Sequence, residues 1–424
     1  MNTLVMKKVN IDDLLTIELK TFVRQHFEDD VFKLALSRKG TELFDFDFAL
    51  DQISGRKIAH YKLPSWYDNA DIVYPPHLSM EQCSSEETAR YKAEIVSRLL
   101  KSKDFKTAII PLKTAITPSF VDLTGGFGVD FAFMSFGAKS VYVERQEMLC
   151  QLATHNFKAL GIKNVEIVNL DSYDYVNKLT YADIIFLDPA RRSVTGSKVF
   201  NIADCFPNLL NLKDELTKKS KYVIVKLSPM LDWHKAVSDL NKSNDIVREV
   251  HCVSVKNECK ELIVVLSSVP SPLTVYCVND DNLLKFSPSD IGKQVEIYSS
   301  PTIGQYLYEP NSSIMKIGCF SYLTEKYQVR AISSNSHLFT SQSKVDNFSG
   351  RCFIIEKVIP FNKKVLRKTL SLIKSANVIT RNFPLSALEL RKFLKIKDGS
   401  SESVYIFGTT DSYGKRLLLL ASKA

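Results

Sequence analysis

Short apolar runs alternate with helical stretches between residues 116 and 228. The runs SFVDL, SVYVE, VEIVN, ADIIFLD and YVIVKLS are rich in β-branched and aromatic residues. Runs of this kind, separated by amphipathic stretches, predict parallel strands joined by crossover helices. This part of the chain is therefore predicted to be a doubly wound α/β sheet.

The alternation ends differently after residue 248. EVHCVSV and ELIVVLSS are separated by only a few residues around Lys256, Asn257 and Glu258. A link this short predicts an antiparallel hairpin, because a parallel crossover needs a dozen residues or more. Five parallel strands followed by this hairpin make seven strands.

The segments on either side of the sheet predict further regions. DDLLTIELKTFVRQHF has helical periodicity, and KLPSWYDNADIVYPPHLSMEQ is predicted to be extended loop. Ser84 and Glu87 fit a capping box at the start of a following helix. The predicted regions are an N-terminal helical region (1–78), the α/β domain (79–270), a small domain (273–322) and a compact α+β module (323–424).

Composition narrows the class of protein. The chain has 424 residues, 45% of them hydrophobic and 24% charged, as in soluble globular proteins with two or three domains. No apolar run indicates a secretory signal or a membrane span. Eight scattered cysteines form no CxxC pair, which predicts reduced thiols and no zinc or other metal site. We therefore expect a cytoplasmic location.

Positive charge is concentrated near the C-terminus. The chain carries a net charge of +9, and between Arg351 and Lys397 twelve Lys or Arg face two acids, Glu356 and Glu389, so 12 − 2 = +10. Clustered positive charge indicates a polyanionic partner, although a solvated helix face would look the same from charge alone.

Three glycines follow the first predicted strand, in FVDLTGGFGVD from Phe120 to Asp130. A glycine-rich turn between a strand and a helix lets backbone approach a ligand closely. The dinucleotide fingerprint needs a small residue where Phe131 stands, and a phosphate loop needs a lysine that this turn lacks.

The turn resembles motif I of class I S-adenosylmethionine (SAM) methyltransferases. The resemblance implies that Gly125, Gly126 and Gly128, with Thr124, pass under the methionine part of SAM. It also implies that Asp122 meets the ammonium group of the ligand. A carboxylate suits this ligand, since SAM carries an ammonium, a sulfonium and no phosphate.

Further cofactor contacts are expected from the same resemblance and from the positions of acids after strands. Glu144 ends the second strand, 22 residues after Asp122, and is predicted to bind the ribose hydroxyls by analogy with nucleotide folds. Asp171, with Asp174 as its rival, corresponds to the position that contacts the adenine amine. Gln82 and Ser84 correspond to a helix start that some members of the family lay against the cofactor; a plain helix cap is the alternative for them.

The fourth predicted strand ends in Asp188-Pro189-Ala190-Arg191-Arg192. This resembles motif IV of methyltransferases, although Ala190 replaces the second proline and no aromatic residue follows. Asp188, with Pro189, is the predicted catalytic pair, and Arg191 and Arg192 are predicted to bind a substrate phosphate. Enzymes that methylate RNA carbon also need a nucleophilic cysteine, which does not follow the fifth strand.

The combined motifs resemble a group of bacterial class I methyltransferases with a ferredoxin-like insert and a C-terminal THUMP-like domain. The resemblance covers most of the chain from about residue 74. It includes YPPHLSMEQCSSEETARYKA, FLDPARRS, NECKEL, YLYEPNSSIMK and RNFPLSALELRKFLKIKDG. THUMP domains bind RNA, and this implies substrate contacts by Arg381, Arg391 and Lys392.

The leading hypothesis is therefore a SAM-dependent methyltransferase acting on a base nitrogen of tRNA or rRNA. A small-molecule or protein methyltransferase is the second hypothesis. A SAM-fold RNA-binding protein without activity is the third, and an NAD oxidoreductase is the most distant.

Overall fold

The structure is a computed structural model that describes residues 10–38, 40–101, 119–135, 139–191, 202–291, 295–297, 303–399 and 404–424. The chain forms two compact units. The first consists of Met1–Arg248 and Leu262–Ser271, and the second of Glu249–Glu261 and Pro272–Ala424.

The seven predicted strands are all present, and the sheet that contains them has nine strands. They are Phe120–Asp122 (β1), Ser140–Val143 (β2), Val165–Val168 (β3), Ala182–Leu187 (β4), Ser220–Leu227 (β5), Val247–Val255 (β6) and Glu258–Leu266 (β7). The first unit has the strand order β3-β2-β1-β4-β5-β7. Its first five strands are parallel, and β7 pairs antiparallel with β5.

The central strands of the first unit are apolar without alternation because both faces of the sheet are covered. All six residues of β4 are buried, and Ile184 and Ile185 are 0% exposed. The helices around the sheet are Glu86–Lys101, Val129–Met134, Glu147–Ala159, Ser172–Lys178, Leu209–Lys219 and Trp233–Leu240.

The N-terminal helical region contains more helix than its pattern predicted. Its helices are Ile11–Leu14, Ile17–Gln25, Val31–Leu36, Phe46–Lys62, Pro64–Tyr67 and His77–Gln82. The predicted extended loop is wrong at Pro64–Tyr67 and His77–Gln82. Pro64 occupies the first helical position, where its fixed φ and missing N–H are tolerated. The region packs on the glycine turn, where the rings of Trp66 and Phe127 lie 5.0 Å apart.

The predicted capping box is also displaced. Helix Glu86–Lys101 begins one residue later than predicted, and the N–H of Thr88 donates to Ser85 Oγ at 3.4 Å. Ser84 is therefore outside the cap. Its hydroxyl instead donates to Asp130 at 2.7 Å, a long-range contact that the local pattern does not reveal.

The second unit begins with the tip of the β6–β7 hairpin. Lys256 and Asn257 both have positive φ, 50° and 62°, which is typical of a tight two-residue hairpin turn. Residues 249–254 pair in parallel with Thr274–Asn279 (β8), which pairs antiparallel with Asn282–Phe286 (β9).

The rest of the second unit contains an eight-stranded sheet. Its longer strands are Tyr306–Pro310 (β10), Phe339–Ser341 (β11), Gly350–Pro360 (β12), Ser375–Thr380 (β13), Val404–Thr410 (β14) and Arg416–Lys423 (β15). The order is β11-β10-β12-β15-β14-β13, with the two-residue strands Arg330–Ala331 and Lys397–Asp398 at the edges. The helices are Ser312–Ile317, Phe320–Tyr327, Lys363–Thr369 and Ala387–Leu394.

Three further findings concern the described part of the chain. None of its helices combines the length and the apolar character needed to cross a bilayer. It contains no group of three or more His, Cys, Asp or Glu residues arranged to hold a metal ion. All eight cysteines, each within the described ranges, are free thiols.

Candidate active site

Close packing explains two of the three glycines in the turn after β1. A Cβ on Gly125 would lie 2.1 Å from the ring of Tyr142, and a Cβ on Gly128 would lie 2.9 Å from the ring of Phe157. Gly128 also has φ +86°, which disfavours other residues. Both glycines are therefore required by the fold, independently of any ligand.

Gly126 is different. Its φ is +57°, and among the described residues a Cβ built on it would have only Thr124 O within 4 Å, at 3.8 Å. The tyrosine hydroxyl of Tyr142 donates to Gly126 O at 2.5 Å and holds the peptide in place. The space beside Gly126 is thus open, so that a ligand can approach the backbone there.

Phe131 occupies the position that a dinucleotide fingerprint reserves for a small residue. It is fully buried, and its ring lies 5.0 Å from Phe157 and 5.6 Å from Tyr142. Aromatic packing therefore fills the position where the dinucleotide fingerprint needs a small residue.

A hydrogen-bond chain joins the carboxyl ends of β1 and β4. The N–H of Thr124 donates to Asp122 Oδ1 at 2.8 Å, and the N–H of Asp188 donates to Thr124 Oγ1 at 2.7 Å. The structure therefore brings Asp122, Thr124 and Asp188 together at the edge where open α/β sheets place their chemistry. Pro189, the other half of the predicted catalytic pair, is buried directly after Asp188.

Asp122 lies in an unfavourable environment for a negative charge. It is 1% exposed, and burial raises its pKa well above the usual range, with Asp130, Asp188 and Glu144 raising it further. The hydrogen bond from Thr124 N–H opposes this effect without overcoming it. A cationic ligand at this position would offset the repulsion among the acids and favour the charged form of Asp122.

Glu144 lies at the carboxyl end of β2 and contacts the glycine turn directly. Its Oε2 accepts from the N–H of Gly126 at 3.0 Å, and its Oε1 accepts from the N–H of Gln146 at 2.8 Å. A carboxylate has about four acceptor positions, so two remain for ligand hydroxyls. The carboxylate is held rigidly beside the open space at Gly126.

The other residues of the predicted cofactor site have local roles. Asp171 caps helix Ser172–Lys178 by accepting from Tyr173 N–H at 2.9 Å, and Ser172 Oγ fixes this helix to Leu123 O at 2.6 Å. Asp174 is exposed in the first turn. Gln82 is exposed at the end of helix His77–Gln82. Ser84 is buried and bonded to Asp130, so its contact with SAM stays a prediction.

The sequence analysis missed three charged residues that form a series of ion pairs leading to Asp188. Lys226 Nζ lies 2.6 Å from Asp188 Oδ2 and 3.9 Å from Asp130 Oδ2, and Lys92 Nζ lies 3.2 Å from Asp130 Oδ1. Burial alone would raise the pKa of Asp130, but Lys92, Lys226 and the Ser84 hydroxyl hold it below its usual value. A lysine inside the apolar run YVIVKLS was the available signal for Lys226.

The two arginines predicted to bind phosphate cannot be placed. Arg192 lies outside the described residues, and so does the side chain of Arg191. Their predicted role stays a prediction.

In the second unit, two of the predicted substrate-binding residues form ion pairs. Arg381 Nη2 lies 3.0 Å from the buried Glu309, and Arg391 pairs with Asp398. Lys392 is exposed. Phe383 packs on Phe361 with ring centroids 5.0 Å apart, as a core residue would.

Two segments of the second unit match family profiles. Residues 306–348 match a ferredoxin-like domain, and residues 350–423 match a THUMP domain-like family. The predicted boundary at residues 322 and 323 stays a prediction.

The solved structures show the fold of the chain as a whole. A candidate methyltransferase from Porphyromonas gingivalis W83 is 28% identical, with a TM-score of 0.81 over 98% of this chain and 99% of that one. The chain has the class I methyltransferase fold, with ferredoxin-like and THUMP-like domains. Thus the resemblance and the fold class expected from the sequence are both confirmed.

Weaker structural similarities extend to other methyltransferase-fold proteins. A human methyltransferase 10 domain containing protein is 12% identical, with a TM-score of 0.34 over 50% of this chain and 97% of that one. An rRNA methylase from Streptococcus thermophilus is 16% identical, with a TM-score of 0.27 over 36% and 88%. No curated protein matches the chain in sequence.

Proposed function

We propose that this protein is a SAM-dependent methyltransferase that methylates a base nitrogen in tRNA or rRNA. The observation that carries the proposal is the joined arrangement of Asp122, Thr124 and Asp188 beside the open turn at Gly126. This arrangement occurs in a chain that shares its fold along its length with a candidate methyltransferase.

The residues present fit SAM. Asp122 is a buried carboxylate surrounded by other acids, and its raised pKa marks a position that favours a cationic group. SAM carries an ammonium and a sulfonium, so it satisfies this position better than a phosphate-bearing dinucleotide would. Gly126 leaves room for the methionine part, and Glu144 has acceptor positions for the ribose hydroxyls.

Asp171 and the cap region extend the proposed cofactor site. The helix that Asp171 caps is fixed to the end of β1 through Ser172, so the carboxylate lies near the base of the glycine turn. We assign Asp171 to the adenine amine and keep Asp174 as its rival. Gln82 and Ser84 are also proposed to contact the cofactor.

Asp188 is the proposed catalytic residue. When bound, SAM supplies an electrophilic methyl group, so the protein must orient the acceptor and take up a proton. Asp188 lies at a strand end with its side chain 37% exposed, which allows it to accept a hydrogen bond from an acceptor N–H. Pro189 fixes the chain direction directly after this carboxylate.

RNA is the proposed substrate because of the second unit. The THUMP domain-like match covers residues 350–423, and the basic segment Arg351–Lys397 lies within it. Ten of its twelve basic residues are exposed, the exceptions being Arg381 and Arg391. Exposed lysines and arginines bind backbone phosphates without regard to sequence. Arg191, Arg192, Arg381, Arg391 and Lys392 are proposed to contribute.

The test is transfer of tritiated methyl groups from SAM to total RNA taken from cells that lack this protein. Wild type is compared with Asp188→Ala and with Asp214→Ala, a control at a half-exposed aspartate outside the site. We expect label in RNA with wild type and the control, and a loss of roughly 10² or more with Asp188→Ala. Nucleoside digestion then names the base.

Other outcomes favour other functions. Methyl transfer that is insensitive to RNase points to a protein or small-molecule acceptor. SAM binding by calorimetry without transfer to any acceptor points to an RNA-binding protein without activity. Binding of a nicotinamide cofactor instead of SAM would contradict the proposal outright.

A further inference from the structure

Four charged side chains of alternating sign form a chain that ends at Asp188. Lys92 Nζ lies 3.2 Å from Asp130 Oδ1, Asp130 Oδ2 lies 3.9 Å from Lys226 Nζ, and Lys226 Nζ lies 2.6 Å from Asp188 Oδ2. Ser84 Oγ donates to Asp130 at 2.7 Å and accepts from Lys92 at 3.3 Å. The chain of charges therefore begins inside the protein and ends at the proposed catalytic carboxylate.

The exposed fraction of the side chains increases along this series from Lys92 to Asp188. The side chain of Lys92 is 0% exposed, Asp130 11%, Lys226 13% and Asp188 37%. Burying a charge is costly unless it is paired, and an ion pair of this kind adds little net stability compared with apolar residues of similar size. A buried lysine and a largely buried one, linked through Asp130 to a proposed catalytic carboxylate, thus call for an explanation other than stability.

The four residues come from four separate elements. Lys92 lies in helix Glu86–Lys101, Asp130 in helix Val129–Met134, Lys226 near the carboxyl end of β5, and Asp188 directly after β4. Leu187 and Val225 are partners in the parallel register of β4 and β5, so the next residues on both strands are Asp188 and Lys226. The sheet register thereby brings the ammonium group of Lys226 to the carboxylate.

We propose that Lys226 is a positioning residue for Asp188, itself held by Asp130 and Lys92. The inference rests on the proposed function. Lys226 occupies Asp188 Oδ2, whereas Asp188 Oδ1 has no hydrogen-bond donor among the described residues. Lys226 therefore fixes the rotation of the carboxylate and presents Oδ1 to the acceptor N–H.

The first test compares methyl transfer by wild type and by Lys226 variants of the full chain, with total RNA as the methyl acceptor. Lys226→Met should lower kcat by about 10², the loss expected from a misplaced catalytic group, while the Kd for SAM by calorimetry changes by less than about threefold. Lys226→Arg should recover most of the rate, because it restores the cation.

Lys221→Met is the matched control. Lys221 is also a buried lysine of β5, but it lies at the opposite end of the strand, against the ring of Tyr222. Its replacement should leave kcat unchanged even where it lowers the Tm. If Lys221→Met and Lys226→Met lower kcat equally, the effect comes from strand packing, and the positioning role is overturned.

A second measurement is independent of activity. Lys226→Met leaves Asp188 without its cation and Asp130 with Lys92 alone, so it should lower the Tm by several degrees. Adding Asp188→Asn should recover part of that loss. Strict additivity of the two changes would overturn the pairing. If wild type is active and Lys226→Met has the same kcat, the positioning role alone is overturned. A wild type that transfers no methyl group to any acceptor overturns the proposed function and, with it, this role.

Discussion

Charge is arranged differently in the two units of this protein. In the first unit, the charges around Asp188 are buried or nearly so, and each has a partner at a defined distance. In the second unit, ten of the twelve basic residues between Arg351 and Lys397 are exposed. The four charges from Lys92 to Asp188 include two of each sign, whereas the basic segment of the second unit carries a net charge of +10 (12 − 2).

This difference in charge arrangement indicates two different roles for the charged residues. Buried, paired charges have fixed geometry and are little affected by salt, which suits the orientation of reacting groups. Exposed charges of one sign attract a polyanion along a broad surface without fixing a single geometry. A methyltransferase acting on RNA needs both, since it must hold a long substrate and align one atom.

The largest expected difference between the two regions is the salt dependence of ligand binding. RNA affinity should fall by roughly 10³ or more between 50 and 200 mM salt if six or so phosphates are bound. SAM affinity should change little over the same range, because its contacts lie in the buried region. Filter binding of RNA and calorimetry of SAM, both on the full chain, measure the two dependences.

Either of two results would remove the contrast between the regions. Flat salt dependence of RNA binding would show that the basic segment does not bind phosphates. An equally steep dependence for SAM would show that the acids of the first unit are accessible to ions.

Asp122→Asn sharpens the account of the buried region. The pKa of Asp122 is raised in the folded protein, so wild type loses stability as pH rises from about 4, its unfolded value, toward the raised folded value. Asparagine can still accept from Thr124 N–H but carries no charge. We therefore expect the variant to have a Tm a few degrees higher than wild type at pH 8 and similar to it near pH 4.

The same variant should lose SAM binding, because the cationic ligand loses its counter-charge. Differential scanning calorimetry with and without SAM separates the two effects, and Asp214→Asn serves as a control in the same unit. A variant less stable than wild type at pH 8 would mean that the Asp122 carboxylate stabilises the free protein, contrary to our account.

The smallest expected effect concerns one exposed lysine. Lys364→Gln, in the first turn of helix Lys363–Thr369, should reduce the slope of log affinity for RNA against log salt by about one. Lys33→Gln, at an exposed position of helix Val31–Leu36, should leave the slope unchanged. Equal slopes for the two variants would place the phosphate contacts elsewhere on the chain.

The strands and the hairpin that follows them were predictable because the signals are local. Each of the seven strands was visible as an apolar run, and the hairpin followed from the length of its link. The same holds for Asp122 and Asp188, since a residue at the carboxyl end of a parallel strand lies at one edge of the sheet. The fold class needed little beyond this pattern.

What the sequence did not reveal depends on long-range pairing. Lys226 meets Asp188 from 38 positions away, and Arg381 meets Glu309 from 72 positions away. Such contacts depend on strand register and tertiary packing, which a local pattern does not contain. The displaced cap at Ser84 has the same cause, because Asp130 attracts its hydroxyl from 46 positions away.

The boundary between the two units crosses the β6–β7 hairpin, so the chain passes from one unit to the other three times. A protein shortened after Ser271 would keep residues 249–254 but lose β8, their partner strand. The unpaired backbone would form an open edge that invites pairing with other copies and aggregation. A single cut in the chain therefore cannot separate the two units, and the hairpin tip has to be kept with the second unit.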